Sequence, residues 1–280
     1  MSDTETMTTE FATSADGTRI AFERAGSGPL LVLVDGALCS REFGPGRPVS
    51  AELADRFTVV IYDRRGRGES GDTAPYSPER EIDDLAAVVA AARGDSDVVY
   101  VAGQSSGAGL VYRAAASGAL DATRIAGYEA PWVRPVGATD DPGWRDVLER
   151  KLAAGDAGGA VGFFMVDMVG APRFVPFMMK TLMRKIWAQL TAIGRTLPYD
   201  AAVMGNFAVP VAELAGISTP TLVLGGTKGK QNMKDAVAAT AAAIPGSTLH
   251  WLEGQTHQVD PAVLAAEFAR FFAPPTPVVG

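Results

Sequence analysis

A single cysteine, Cys39, stands among 280 residues, which excludes an internal disulfide and suits a reducing, cytoplasmic setting. Histidine is almost as scarce. With only His250 and His257, a histidine-built metal centre is not expected, and any imidazole base must be one of these two. Positive charge is in deficit: 25 Lys and Arg face 32 Asp and Glu, a formal charge of −7. Such a chain lacks the surplus of cations that nucleic acids and anionic membranes call for in a partner. No apolar run reaches membrane-spanning length. The opening stretch, Met1-Ser2-Asp3-Thr4-Glu5-Thr6, is acidic and polar with no apolar segment behind it, unlike a signal peptide, and is expected to fray in solvent. What is plentiful is apolar material, 47% of the chain, enough to build one large α/β domain or two small ones.

The pattern of that material alternates between strand and helix. Residues 18–24 alternate polar and apolar, while Leu30 to Val34 and Thr58 to Tyr62 are continuous apolar runs of the kind buried on both faces of a parallel sheet. Ser77 followed by Pro78 predicts a helix start, and Ile82, Leu85, Val88 and Val89 give that helix an apolar face. A strand is expected at Arg124 to Tyr128. From about residue 132 to 209 the alternation stops, and helical segments rich in Met, Phe and Trp are predicted over 144–154, 159–169 and 177–193. Strand and helix return at 221–224, 234–243, 249–252 and 262–272, before a tail with Pro274, Pro275 and Pro277. The expected fold is α/β: a mostly parallel, doubly wound sheet whose core is formed by 1–131 and 210–280, with 132–209 as a helical cap. Ligands meet such a sheet at the C-terminal ends of its strands, and a cap entering and leaving there roofs the site.

At the centre of the pattern Val98 to Ala102 runs into Gly103-Gln104-Ser105-Ser106-Gly107, and an Ala-rich helical segment follows. A nucleophilic serine on a strained strand-to-helix turn needs this order, with small flanking residues and the free N–H groups of the helix start, that of Ser106 above all, aimed at an oxyanion. Two other glycine-rich stretches imitate nucleotide loops. Gly66-Arg67-Gly68-Glu69-Ser70-Gly71 has prolines where the helix should open, and the segment from Gly225 to Gln231 has the wrong spacing and no Ser or Thr for magnesium. No cofactor is expected.

A serine hydroxyl needs a base, and the base an acid. His257 follows the last strand, where a loop can swing its imidazole over Ser105, whereas His250 lies inside the strand and is expected to pack against the sheet. The acid should fall between serine and histidine in the chain. The loop Gly225 to Gly229 holds no carboxylate, Asp235 falls in the following helix, and Glu129 ends the strand before the cap. Glu129 is therefore the expected acid, the plainer alternative being a Glu that only hydrogen-bonds loop backbone. Asp200 and Asp235 are expected to matter far less.

Together the Ser105 elbow, Asp63 to Ser70, Asp35-Gly36 after an apolar strand, and Gly254-Gln255-Thr256-His257 resemble the α/β-hydrolase superfamily. Tyr128-Glu129-Ala130-Pro131 and Thr196 to Gly205 are similar to segments of actinobacterial-type α/β hydrolases of unassigned substrate. A more distant resemblance is to fungal zearalenone lactone hydrolases, which share Asp-Gly before the oxyanion loop, Ser-Ser-Gly-Ala at the elbow, a Glu after the sixth strand, and a tryptophan before an Arg-Thr-Ile-Pro segment. That resemblance implies that Trp187, before Arg195-Thr196-Leu197-Pro198, lines a substrate pocket. Asp35 replaces the superfamily's common oxyanion-loop histidine, so Gly36 or Ala37 would supply the second N–H. The expected activity is cleavage of a carboxylic ester or lactone of a hydrophobic small molecule, with Trp132 and Trp187 as pocket walls. The alternatives are a cofactor-free haloperoxidase or perhydrolase on the same residues, and a non-catalytic small-molecule binder on that scaffold. Oligomerisation is left open.

Overall fold

The computed structural model describes residues 8–273; the acidic stretch 1–6 and the tail prolines lie outside them. Four residues of Glu10–Thr13 (β1) and Arg19–Ala25 (β2) form an antiparallel edge; β2, expected to be half-exposed, buries Ile20 to Glu23. The all-apolar Leu30–Val34 (β3) is buried along its whole length. Gly46–Leu53 (α1) leads to Thr58–Tyr62 (β4), and Pro78–Arg93 (α2) to Val99–Gln104 (β5). Helix α2 starts as its sequence dictates, with the Ser77 hydroxyl accepting from the Arg80 N–H and Pro78 in the first turn. Ser106–Ala116 (α3) follows the elbow and Arg124–Tyr128 (β6) closes the first half.

The strands order as β1-β2-β4-β3-β5-β6, then Thr221–Gly226 (β7) and Thr248–Leu252 (β8), with every pair from β4 onward parallel. The chain winds from β3 to β4 on one side and then to β5 on the other. The sheet's switch point therefore lies at the C-terminal ends of β3 and β5, where a crevice opens between diverging loops. Gly36 and Ser105 emerge there. The outer face is closed by α1 and Pro261–Phe272 (α11), whose Leu264, Phe268 and Phe272 recur every four residues and are fully buried. Each such side chain contributes roughly 1.5–3 kcal/mol. Gln231–Ala243 (α10) packs on β7.

Between β6 and β7 lie Trp144–Ala153 (α4), Ala157–Phe163 (α5), Phe174–Leu182 (α6), Arg184–Ile193 (α7), Leu197–Met204 (α8) and the single turn Val211–Leu214 (α9). Two expectations shift here. The helix predicted over 159–169 is α5 continued by a π-helical turn, Phe164–Met168. The helix predicted over 177–193 is two, because Met183 leaves helical geometry at φ −118°, ψ 49°. Among the described residues no helix is long and apolar enough to cross a membrane.

Candidate active site

Ser105 sits at φ 56°, ψ −129°, in a left-handed conformation that an L-residue adopts only under constraint. The constraint is close packing. A Cβ on Gly103 would overlap the Gly107 carbonyl, and one on Gly107 would overlap that of Val34. Strand β5, helix α3 and strand β3 thus close on one another with no room for side chains, and Ser105 is pushed out at the sheet's edge. Leu38 at φ 59° and Glu129 at φ 48° share the same kind of backbone. Such residues hold roughly 1–3 kcal/mol of strain each, and these three border one crevice.

The His257 imidazole joins the other two groups. Its Nε2 lies 3.2 Å from Ser105 Oγ and its Nδ1 lies 2.8 Å from Glu129 Oε2. Glu129 is 1% exposed, while the His257 side chain is 38% exposed, so solvent reaches the relay from the imidazole side. The second oxygen of Glu129, Oε1, accepts the Gly226 N–H at 2.8 Å. The carboxylate therefore does both things weighed from the sequence: it meets the histidine and it ties down loop backbone. The glycine run that begins at the end of β7, with no acid of its own, supplies that N–H. A Cβ at Gly229 would stand 3.3 Å from Glu129 Oε1, so the run also leaves the acid room. The loop carrying His257 is held by the Tyr128 hydroxyl, which donates to the Thr256 carbonyl, and by Lys228 N–H to Gln255 O at 2.9 Å.

Across from the imidazole, the N–H groups of Gly36, Ala37 and Ser106 have no partner among the described residues. A Cβ built on Gly36 would fall 3.3 Å from Ser105 Oγ, so the loop lies directly against the hydroxyl. Unpaired donors on two chain segments beside one oxygen form the arrangement that stabilises an oxyanion.

Below these donors lies a buried charge network that the sequence reading missed. Asp200 of α8 accepts from Arg64 Nη1 at 2.7 Å, from Arg67 Nη2 at 2.8 Å, and from the Ser106 hydroxyl at 2.7 Å. Arg64 also meets Glu81 at 2.5 Å, and Arg67 donates to the Gly36 carbonyl at 2.6 Å. Burial alone would raise the Asp200 carboxyl, but the Arg67 and Arg64 guanidiniums and the Ser106 hydroxyl outweigh it and hold it below the usual carboxylate range. One carboxylate thus grips both sides of the crevice, Ser106 directly and Gly36 through Arg67. The available signal was Asp63 to Ser70, whose three arginines at 64, 65 and 67 are too costly to bury without partners.

A sequence profile of the alpha/beta hydrolase family matches residues 30–271. The chain belongs to the alpha/beta hydrolase family. An alpha/beta hydrolase from Sphaerobacter thermophilus is 44% identical over 94% of this chain and 100% of that one, with a TM-score of 0.83. An esterase from a Rhodococcus species is 23% identical over 95% and 98%, with a TM-score of 0.69. The enol-lactonase from Burkholderia xenovorans is 20% identical over 94% and 96%, with a TM-score of 0.66.

In this alpha/beta hydrolase two tryptophans expected as pocket walls part company. Trp132 is 0% exposed and stacks on Tyr112 with ring centroids 6.1 Å apart, beside the α3 backbone at Gly109. It is a core residue, because the chain turns inward after Glu129 before the insertion begins. Trp187 lines a cleft of about 290 Å³ with Asp156, Gly158, Gly159, Pro176, Phe177 and Lys180. That cleft is formed within the insertion, and none of Ser105, His257 or Glu129 lines it. His250, expected against the sheet, stands on edge strand β8 and pairs with Glu267 at 2.9 Å, its side chain 42% exposed. The described residues contain no cluster of His, Cys, Asp and Glu suited to a metal ion.

Proposed function

We propose that this chain is a serine hydrolase that cleaves a carboxylic ester or lactone of an apolar small molecule through an acyl-enzyme. The observation that carries the reading is the continuous relay from Ser105 Oγ through His257 to Glu129, at 3.2 and 2.8 Å. His257 Nε2 takes the Ser105 proton as Oγ attacks the carbonyl carbon, and Glu129 fixes the tautomer and balances the imidazolium. The Ser106 N–H with that of Gly36 or Ala37 holds the tetrahedral oxyanion. His257 then returns the proton to the departing alkoxide, which leaves as an alcohol; in a lactone that hydroxyl stays tethered to the acyl group. Water, deprotonated by His257, repeats the attack and frees Ser105 as the acid product departs. No cofactor enters the scheme. Residues 132–209 would act as the cap that admits substrate, and its Met, Phe and Trp content favours an apolar one.

Intact-mass analysis after treatment with a fluorophosphonate tests the assignment. Wild type should carry one phosphonyl adduct and Ser105→Ala none, and p-nitrophenyl ester turnover should fall by roughly six orders of magnitude in the variant. Labelling that persists in Ser105→Ala would remove the serine from its role and the reading with it.

A further inference from the structure

Helix α6 buries none of its residues. Phe174, Phe177 and Leu182 are 64%, 70% and 78% exposed, and Met178 and Met183 are 37% and 40%. The spacing 174, 177, 178, 182 sets them along one helical face. Val169, just before the helix, adds another exposed apolar side chain at 48%. A monomeric protein rarely leaves so continuous an apolar strip in water without a use for it.

Cations outnumber anions around the strip, where exposed Arg173, Lys180, Arg184 and Lys185 face exposed Asp156 and Asp167. From Met168 to Tyr199 the chain carries Arg173, Lys180, Arg184, Lys185 and Arg195 and no Asp or Glu, within a chain of net charge −7. Arg173, Lys180, Arg184 and Lys185 are exposed, and none forms an ion pair among the described residues. The position is also specific. Lys230 Nζ donates to Val169 O at 2.7 Å and Gly170 O at 3.3 Å, which clasps the start of this segment to the loop after β7. Gly226, the last residue of β7, holds Glu129 just before that loop.

Two occupants would cover apolar side chains here. A second copy packed face to face about a two-fold axis would return the same unpaired cations to one another. A lipid surface carrying negative charge takes both features: the Phe, Leu and Met side chains enter the headgroup boundary, and Lys and Arg reach the anionic groups. We propose that α6 and its flanking cations form an interfacial docking surface for negatively charged lipid. The whole-chain charge that counts against an anionic surface averages this segment with the acidic remainder. The inference does not rest on the hydrolytic reading, since docking needs no turnover.

Cosedimentation with sucrose-loaded vesicles tests it, using phosphatidylcholine alone and phosphatidylcholine mixed with phosphatidylglycerol, at low and high salt. Wild type should pellet with the phosphatidylglycerol vesicles at low salt and much less in the other conditions. The Phe177→Glu, Leu182→Glu double variant should lose pelleting. Lys180→Ser and Lys185→Ser should each weaken it roughly fivefold. All four positions are solvent-exposed, so an unchanged melting temperature accompanies the loss. Wild-type protein that stays in the supernatant under every condition overturns the proposal. So does sedimentation equilibrium that finds a dimer abolished by Phe177→Glu in a protein that ignores vesicles, for the strip is then a contact between copies. Loss of fluorophosphonate labelling with vesicle binding intact would instead strike the hydrolytic reading alone.

Discussion

Glu129 has two oxygens with two separate duties, and that division makes a clean substitution available. In Glu129→Gln the amide oxygen can keep the Gly226 N–H while the NH2 group faces His257 Nδ1. A donor there forces the imidazole to carry its proton on Nε2, the nitrogen that must accept from Ser105. Turnover should fall by about four orders of magnitude with little change in melting temperature. Near-normal activity would move the acid elsewhere. Asp35 gives a second prediction. Burial lifts its carboxyl to about 6 despite the Gly46 N–H and the nearby Arg67 and Arg64, and its Oδ1 has no partner among the described residues. The folded chain thus holds this proton more tightly than the unfolded one does. The stabilisation is complete below the unfolded value, about 3.9, and is lost as pH rises through 6. Asp35→Asn removes that titration. Relative to wild type it should gain about 1–3 kcal/mol of stability near pH 7.5, and the gain should shrink toward pH 4.5 in urea midpoints taken at both. A difference independent of pH would show that Asp35 does not titrate in that window.

Among the elements, α8 is where the structure departs furthest from the sequence. Its sequence, Leu197-Pro198-Tyr199-Asp200-Ala201-Ala202-Val203-Met204, shows no strong amphipathic period because both faces are covered, by α3 on one side and α4 on the other. Asp200 consequently looked like an ordinary acid, and its substitution was expected to matter little. With Arg64 and Arg67 buried against it, Asp200→Asn should destabilise the fold by about 3–5 kcal/mol, since it strands buried positive charge. It should also lower kcat by loosening Ser106 and Gly36. Asp235, exposed and bonded among the described residues only to Gln231, should tolerate Asn within about 0.5 kcal/mol. Equal melting temperatures for the two variants would show that the network is not a support. The strands and the elbow were legible because continuous Val, Leu and Ile runs and flanking glycines report local geometry. Helix α1, whose Pro48 lies in its first turn, and the break at Met183 were not, because tertiary packing rather than local propensity sets them.

At the level of the whole molecule, Ser105, His257 and Glu129 were all named from the sequence, since chain order and strand ends place them on one sheet edge. The walls were not. Trp132 and Trp187 are alike as residue types, and only three-dimensional packing tells a core side chain from a cleft side chain. Trp187→Ala should therefore weaken turnover of bulky esters and lactones while sparing small acetates, and Trp132→Ala should unfold the protein by about 3–5 kcal/mol instead. Equal loss on both substrates for Trp187→Ala would mean that its cleft never meets the acyl or alcohol group.

The reach of Asp200 from α8 to Ser106 has a bearing on how such proteins could be recombined. The inserted helices do not form one exchangeable block. A chimera that imports another relative's helices in place of α4 to α7 leaves both arms of the crevice, at Gly36 and Ser106, braced as they are. A graft that extends through α8 must bring a carboxylate to the same spot, or it delivers a new specificity on a crevice whose two arginines have lost their counter-ion.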